Sequence, residues 1–270
     1  MQPFFLPGER GQCFCLYHTP ADVSLARGAV IYLHPFAEEM NKARRMAALQ
    51  SRAMVAAGFA VLQIDLLGCG DSAGDFSDAT WSAWQEDVLR AYRWLRTQTK
   101  VPLTLWGVRG GCLLAASAAV HLPEKANFIF WQPATSGKQH WQQFMRLKMA
   151  GELASGQSRG ITEQLRRQLA AGEAVEIAGY TVSPALAEGL EAAELEPPAR
   201  GDRQVIWLET SLRDDATLAP VSQNRIEHWL TAGYAVHAKV VRGPAFWQTS
   251  EIEDAPELLA ATQAALASLT

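Results

Sequence analysis

Short apolar runs alternate with longer segments whose apolar residues recur every three or four positions. The runs at 29–33, 60–64, 103–106 and 127–131 are apolar almost throughout, and 204–208 and 235–241 continue the series. Such runs are expected of strands buried on both faces of a sheet. The segments at about 41–57, 81–97, 110–121, 220–232 and 256–268 carry the helical period. Gly58 is placed to stop the first of these, and Thr80 to cap the second. Strand and helix in alternation give right-handed crossovers and a mainly parallel sheet flanked by helices. Two shorter strands, 4–6 and 11–18, precede this series, joined by the turn Pro7-Gly8-Glu9-Arg10.

The rhythm breaks after Gln132 and Pro133. From 138 to about 171 the pattern is helical and amphipathic, and 175–182 reads as a hairpin or extended segment about Gly179. Ser183-Pro184 opens a helix to about 193, and Glu196-Pro197-Pro198 punctuates the chain. We read 137–198 as a mostly helical cap lying over the carboxyl edge of the sheet, inserted into a core formed by 1–136 and 199–270. A chain of 270 residues is long enough for one such domain.

Composition narrows the functional classes. A net charge of −4 with no basic block argues against nucleic acid as the main partner. No apolar run approaches a membrane span, and the first residues lack a charged region followed by an apolar one. Cys13, Cys15, Cys69 and Cys112 have no metal-ligand spacing, so reduced thiols and a cytoplasmic protein are expected. Gly68, Gly70 and Gly74 do not form a dinucleotide fingerprint, and no Gly-Lys-Ser/Thr is present. Neither a metal nor a cofactor is expected.

The chemistry concentrates where the 103–106 strand ends in Gly107-Val108-Arg109-Gly110-Gly111. Glycines flank a central residue, and an Ala/Leu-rich helix follows, which resembles the strand–elbow–helix turn written G-x-S-x-G in α/β-hydrolases. In this chain the nucleophile position holds Arg109. A guanidinium stays protonated and is no nucleophile, yet it can hold a carboxylate or phosphate. Arg109 therefore either contacts a ligand or only snorkels and pairs with a local carboxylate.

The order of motifs resembles an α/β-hydrolase along nearly the whole chain. It includes His34-Pro35 where the oxyanion loop is expected and a Gly-rich loop from Asp65 to Gly74 resembling D-x-x-G-x-G-x-S. Three stretches resemble, more narrowly, the second subfamily of exosortase A system-associated hydrolases: His34-Pro35-Phe36-Ala37-Glu38-Glu39-Met40-Asn41-Lys42, Gly179-Tyr180-Thr181-Val182-Ser183-Pro184 and Gly243-Pro244-Ala245-Phe246-Trp247. That resemblance implies a bacterial protein of an exosortase and exopolysaccharide context, with a hydrolase label and no substrate.

In this fold the order is nucleophile, acid, histidine. The acid loop offers Asp214 or Asp215. The last loop offers no histidine, and Phe246 or Trp247 falls about where it would be. His228 lies in an expected helix and His237 in an expected strand. Cys112, with its thiol lowered by Arg109 and the helix start, is a conceivable substitute nucleophile. Ser72 is expected to brace its loop, and His34 is either a base near the pocket or a hydrogen-bonded structural residue. What remains is a ligand pocket at the carboxyl ends of the strands, built from His34, Glu38, Glu39, Asn41, Lys42, Arg109, Gln132 and Trp247, with Arg109 held by Glu38 or Glu39. Three functions stay open: a degenerate hydrolase binding a small anionic or saccharide-like ligand, an active ester or acyl hydrolase with a non-triad mechanism, and a partner-docking protein.

Overall fold

The computed structural model describes residues 1–153, 160–198 and 201–269. The chain opens with the antiparallel pair β1 (Gln2–Leu6) and β2 (Cys13–His18). β3 (Gly28–Leu33), α1 (Glu38–Ala56), β4 (Phe59–Ile64), α2 (Trp81–Gln98), β5 (Leu103–Val108), α3 (Gly110–Ala119) and β6 (Asn127–Trp131) follow. Next come α4 (Gly137–Leu153), α5 (Ile161–Ala170), a hairpin of β7 (Val175–Ile177) and β8 (Tyr180–Val182), and α6 (Pro184–Ala192). β9 (Gln204–Ser211), α7 (Pro220–Thr231), β10 (Ala235–Arg242) and α8 (Pro256–Ala265) complete the order. The expected helical stretch from 138 to 171 includes 154–159, and the expected core boundary falls at 199–200; both lie outside the described residues.

Eight strands form one sheet in the order β1-β2-β4-β3-β5-β6-β9-β10. β2 runs antiparallel to β4, and every neighbouring pair from β4 to β10 is parallel. Alternate side chains of the central strands enter two separate hydrophobic cores. One packs against residues of α2, α3, α6 and α7, and the other against α1 and α8. The apolar runs in the sequence are these doubly covered strands.

Local chemistry sets the element ends. Thr80 accepts a hydrogen bond from the Ala83 N–H at 3.0 Å, and Ser183 accepts from Leu186 at 3.2 Å. Ala178 and Gly179 both take positive φ, 49° and 82°, as a two-residue hairpin turn requires. Two of the boundaries that differ from the sequence reading bear on the site. α1 begins at Glu38, because Ala37 turns the chain at φ 50° and two acids fill the helix's positive first turn. β9 runs to Ser211, held in register by β10, so Glu209 is a strand residue rather than part of the exit loop.

Candidate functional site

β5 turns into α3 through Arg109, whose φ of 53° and ψ of −117° are strained for a residue with a side chain. The turn leaves no room on either side. A Cβ on Gly107 would lie 2.6 Å from the Cys112 backbone, and one on Gly111 would lie 2.3 Å from the Leu33 carbonyl oxygen. The elbow geometry thus survives with a guanidinium in its central seat.

Three elements hold that guanidinium. Nε donates to Glu39 Oε1 of α1 at 3.2 Å, and Nη2 donates to Gln143 Oε1 of α4 at 3.1 Å. The Trp247 ring, from the loop after β10, has its centre 5.4 Å from Cζ, within cation–π range. Nη1 has no partner among the described residues. Burial pushes the Glu39 carboxyl up to about 7, against the opposing pull of Arg109. Burial also raises the Glu38 carboxyl. The Oε2 atoms of both glutamates are buried without a hydrogen-bond partner.

His140, in the first turns of α4, is, like Gln143, a residue the sequence reading missed. It is 4% exposed, and neither ring nitrogen has a partner. Burial, and secondarily the Arg109 charge, lowers its pKa to about 3, so the ring is neutral. A Cβ on Gly110 would lie 2.9 Å from His140 Nε2 and 3.4 Å from Phe36 Cβ. The imidazole and Phe36 therefore fill the space beside the start of α3.

Arg109, His140 and Gln143 separate two cavities. One, of about 110 Å³, is walled by Phe36, Glu38, Glu39, Phe144, Leu147 and Gln248. The other, of about 180 Å³, is walled on its far side by Gln132, Thr135, Ser136, Gln139, Glu209 and Ser222. Gln132 takes φ 43°, and its side-chain oxygen accepts from the Thr210 N–H at 2.8 Å. Glu209 Oε1 accepts from Trp207 Nε1 at 2.8 Å. Larger hollows lie elsewhere, about 480 Å³ between β10 and α8 and about 530 Å³ among α4, α5 and α6.

Of the residues singled out in the sequence, Glu38, Glu39, Arg109, Gln132 and Trp247 come together here. His34 does not. It lies behind the elbow in a hollow of about 10 Å³, with Nδ1 donating to the Pro35 carbonyl at 2.8 Å and Nε2 accepting from the Leu66 N–H at 3.4 Å. Asn41 is exposed and Lys42 half-buried on α1, and neither lines either cavity. Asp214 and Asp215 are exposed and paired with Arg242 at 3.3 Å and Arg213 at 3.0 Å. Burial raises the Cys112 thiol well above its ordinary value despite Arg109, and Sγ faces the Trp131 carbonyl at 3.9 Å, which removes it as a nucleophile. Ser72 braces its loop, donating to the Asp65 carbonyl at 2.5 Å and accepting from the Phe14 N–H at 2.8 Å. His228 pairs with Glu196 at the surface. His237 is exposed on β10. Among the described residues, no group of three or more His, Cys, Asp or Glu is arranged to hold a metal ion.

The signal for His140 was present in the sequence. His140, Gln143 and Phe144 stand three and four apart on one helical stripe, which puts them on one face.

With this geometry the family becomes clear. The family profile described as "Serine aminopeptidase, S33" matches residues 24–190, more than half of the chain. The chain belongs to that family. No curated protein sequence matches it significantly. Its S33 fold is the α/β-hydrolase fold, and similar solved structures agree. Est1E from Butyrivibrio proteoclasticus, solved with ferulic acid bound, aligns with a TM-score of 0.69 at 13% identity over 98% of both chains. A highly thermostable carboxyl esterase from Bacillus coagulans, in complex with glycerol, aligns at 0.64 and 13% identity, covering 99% of this chain and 98% of that one. XC6422 from Xanthomonas campestris, described as a serine hydrolase without lid, aligns at 0.58 and 16% identity, covering 98% and 93%. Likeness at such identities speaks for fold and not for activity. No helix among the described residues is long and apolar enough to cross a membrane.

Proposed function

We propose that this S33-family chain is a degenerate hydrolase that binds a small anionic or saccharide-like ligand beside Arg109 and performs no serine-type acyl transfer. The observation that carries the reading is the occupant of the nucleophile's seat. Arg109 is fixed there by Glu39, Gln143 and Trp247, and Trp247 stands in the loop where a triad histidine is expected. His140 and Phe36 crowd Gly110, the residue after the elbow centre, whose N–H an acyl-transfer site of this fold would aim at an oxyanion. In a worked protease case, losing the nucleophile costs on the order of 10⁶ in turnover.

The ligand reaches the site under 137–198, read as a cap on a core of 1–136 and 199–270; α4 supplies His140 and Gln143 from this segment. The three stretches shared with exosortase A system-associated hydrolases favour an exopolysaccharide context. The four buried free thiols favour a cytoplasmic setting. One observation favours the second reading, an active hydrolase without a triad: a Glu39 carboxyl near 7 beside a cavity has the pKa of a general base.

A p-nitrophenyl ester series and a fluorophosphonate probe, applied to wild type, Arg109→Ala and Arg109→Ser, test the proposal. The expected result is no turnover and no labelling in any of the three, because the last loop still lacks a histidine. Wild-type turnover lost in Arg109→Ala or Glu39→Gln would overturn it in favour of the second reading.

A further inference from the structure

We infer that the 180 Å³ cavity behind Arg109 is a receptor for a small oxyanion, a carboxylate or a phosphate, held by Arg109 together with the hydroxyls of Thr135 and Ser222. The inference rests on the ligand-binding reading of this site and names where the ligand sits and what charge it carries.

The first turns of two helices border this cavity, and the residue that caps a third lines it. Arg109 caps α3, Ser136 and Gln139 begin α4, and Ala219, Val221 and Ser222 begin α7. Helix starts carry partial positive charge and N–H groups without an intrahelical acceptor. Here two such starts meet a guanidinium whose Nη1 has no partner among the described residues.

The side chains make the second case independently. Thr135 and Ser222 are 7% and 5% exposed, line the cavity, and make no side-chain hydrogen bond among the described residues. His140, 4% exposed, lines the same wall with both nitrogens unpartnered. Buried polar groups in folded proteins are ordinarily hydrogen-bonded, and the unpartnered His140 nitrogens, beside two hydroxyls that stay open to the cavity, point to something that is bound. Two hydroxyls, an imidazole N–H and a guanidinium N–H are all donors, and an oxyanion supplies the acceptors they lack.

The two cavities differ in sign. The 110 Å³ cavity is walled by Glu38 and Glu39, which repel an anion. The 180 Å³ cavity has one acid, Glu209, with Oε1 already taken by Trp207 Nε1. Its free carboxylate edge favours a ligand that also carries a hydroxyl. The volume suits a small molecule rather than a polymer chain.

Isothermal titration of the full-length protein with acetate, glycolate, inorganic phosphate and methyl α-glucoside, at low and high salt, tests this. Acetate or phosphate is expected to bind, more weakly at high salt. Glycolate above acetate identifies a hydroxycarboxylate, and phosphate above both identifies a phosphate. Thr135→Val and Ser222→Ala, small changes in buried positions, are each expected to weaken binding about tenfold with unchanged melting temperature. Anion binding indifferent to both substitutions overturns the location, and binding of methyl α-glucoside alone overturns the charge; the non-hydrolytic reading survives either. No heat with any of the four probes overturns the receptor. Ester turnover in wild type instead overturns the non-hydrolytic reading while leaving anion binding to be judged by these titrations.

Discussion

At the scale of the residue, Arg109 and Glu39 depend on each other. Both are largely buried, with side chains 15% and 11% exposed. Removing one partner of such a pair leaves a charge uncompensated, at a cost of roughly 3–5 kcal/mol. At pH 8, where Glu39 is mostly ionised in wild type, Arg109→Met should therefore destabilise the fold by about 3 kcal/mol in chemical denaturation, and adding Glu39→Gln should recover most of it. Glu39 and His140 also pull stability in opposite directions with pH. The Glu39 pKa rises from an ordinary 4.5 to about 7, so the native state holds its proton more tightly. Its contribution is present at acid pH and is lost as pH climbs from about 4.5 through 7. His140 falls from 6.5 to about 3, so its contribution is present above about 6.5 and is lost as pH drops toward 3. Between these limits the two slopes oppose each other. Relative to wild type, Glu39→Gln should lose stability at pH 5 compared with pH 8, whereas His140→Phe should gain it. Denaturation curves at the two pH values check both signs.

At the scale of the element, the elbow and the β7–β8 hairpin make a matched pair of tests. Gly111 packs directly beneath the Leu33 and His34 carbonyls, and a Cβ there would lie 2.3 and 2.7 Å from those oxygens. Gly111→Ala should cost about 3 kcal/mol or more, since backbone must move. Ala178 holds φ 49° in a turn that glycine fits better. Ala178→Gly should be neutral or stabilise by up to about 1 kcal/mol, read from the melting temperature. Both elements were legible in the sequence because glycine spacing and strand patterning are local signals. The N-terminus of α1 and the far end of β9 were not. Ala37 gives no capping signal in sequence, and Glu209 stays in its strand only because β10 pairs beside it.

At the scale of the whole molecule, the alternating strands and helices made the fold readable, because doubly buried strands leave short, unbroken apolar runs. The site was readable only in part. Arg109, Glu38, Glu39, Gln132 and Trp247 stand at strand ends or just after them, where a parallel sheet gathers its ligands. Thr135 and Ser222 come from segments whose approach to Arg109 depends on tertiary packing and not on local pattern; for His140 the pattern shows the helical face it shares with Gln143 and Phe144, and packing decides what that face meets. Asp214 and Asp215 follow β9, and their arginine partners hold them at the surface.

The four sealed thiols give this protein a built-in clock. Cys13, Cys15, Cys69 and Cys112 are all buried and free. An aromatic disulfide reagent can reach them only through transient openings of the fold, so labelling rates measure how often each region breathes. Cys112 packs against the Gly107 turn, directly behind Arg109. A small molecule seated at the elbow should slow labelling of Cys112 more than that of Cys15, which lies on β2 at the other side of the sheet order. Mass spectrometry of the labelled peptides would then locate an occupant before its identity is known.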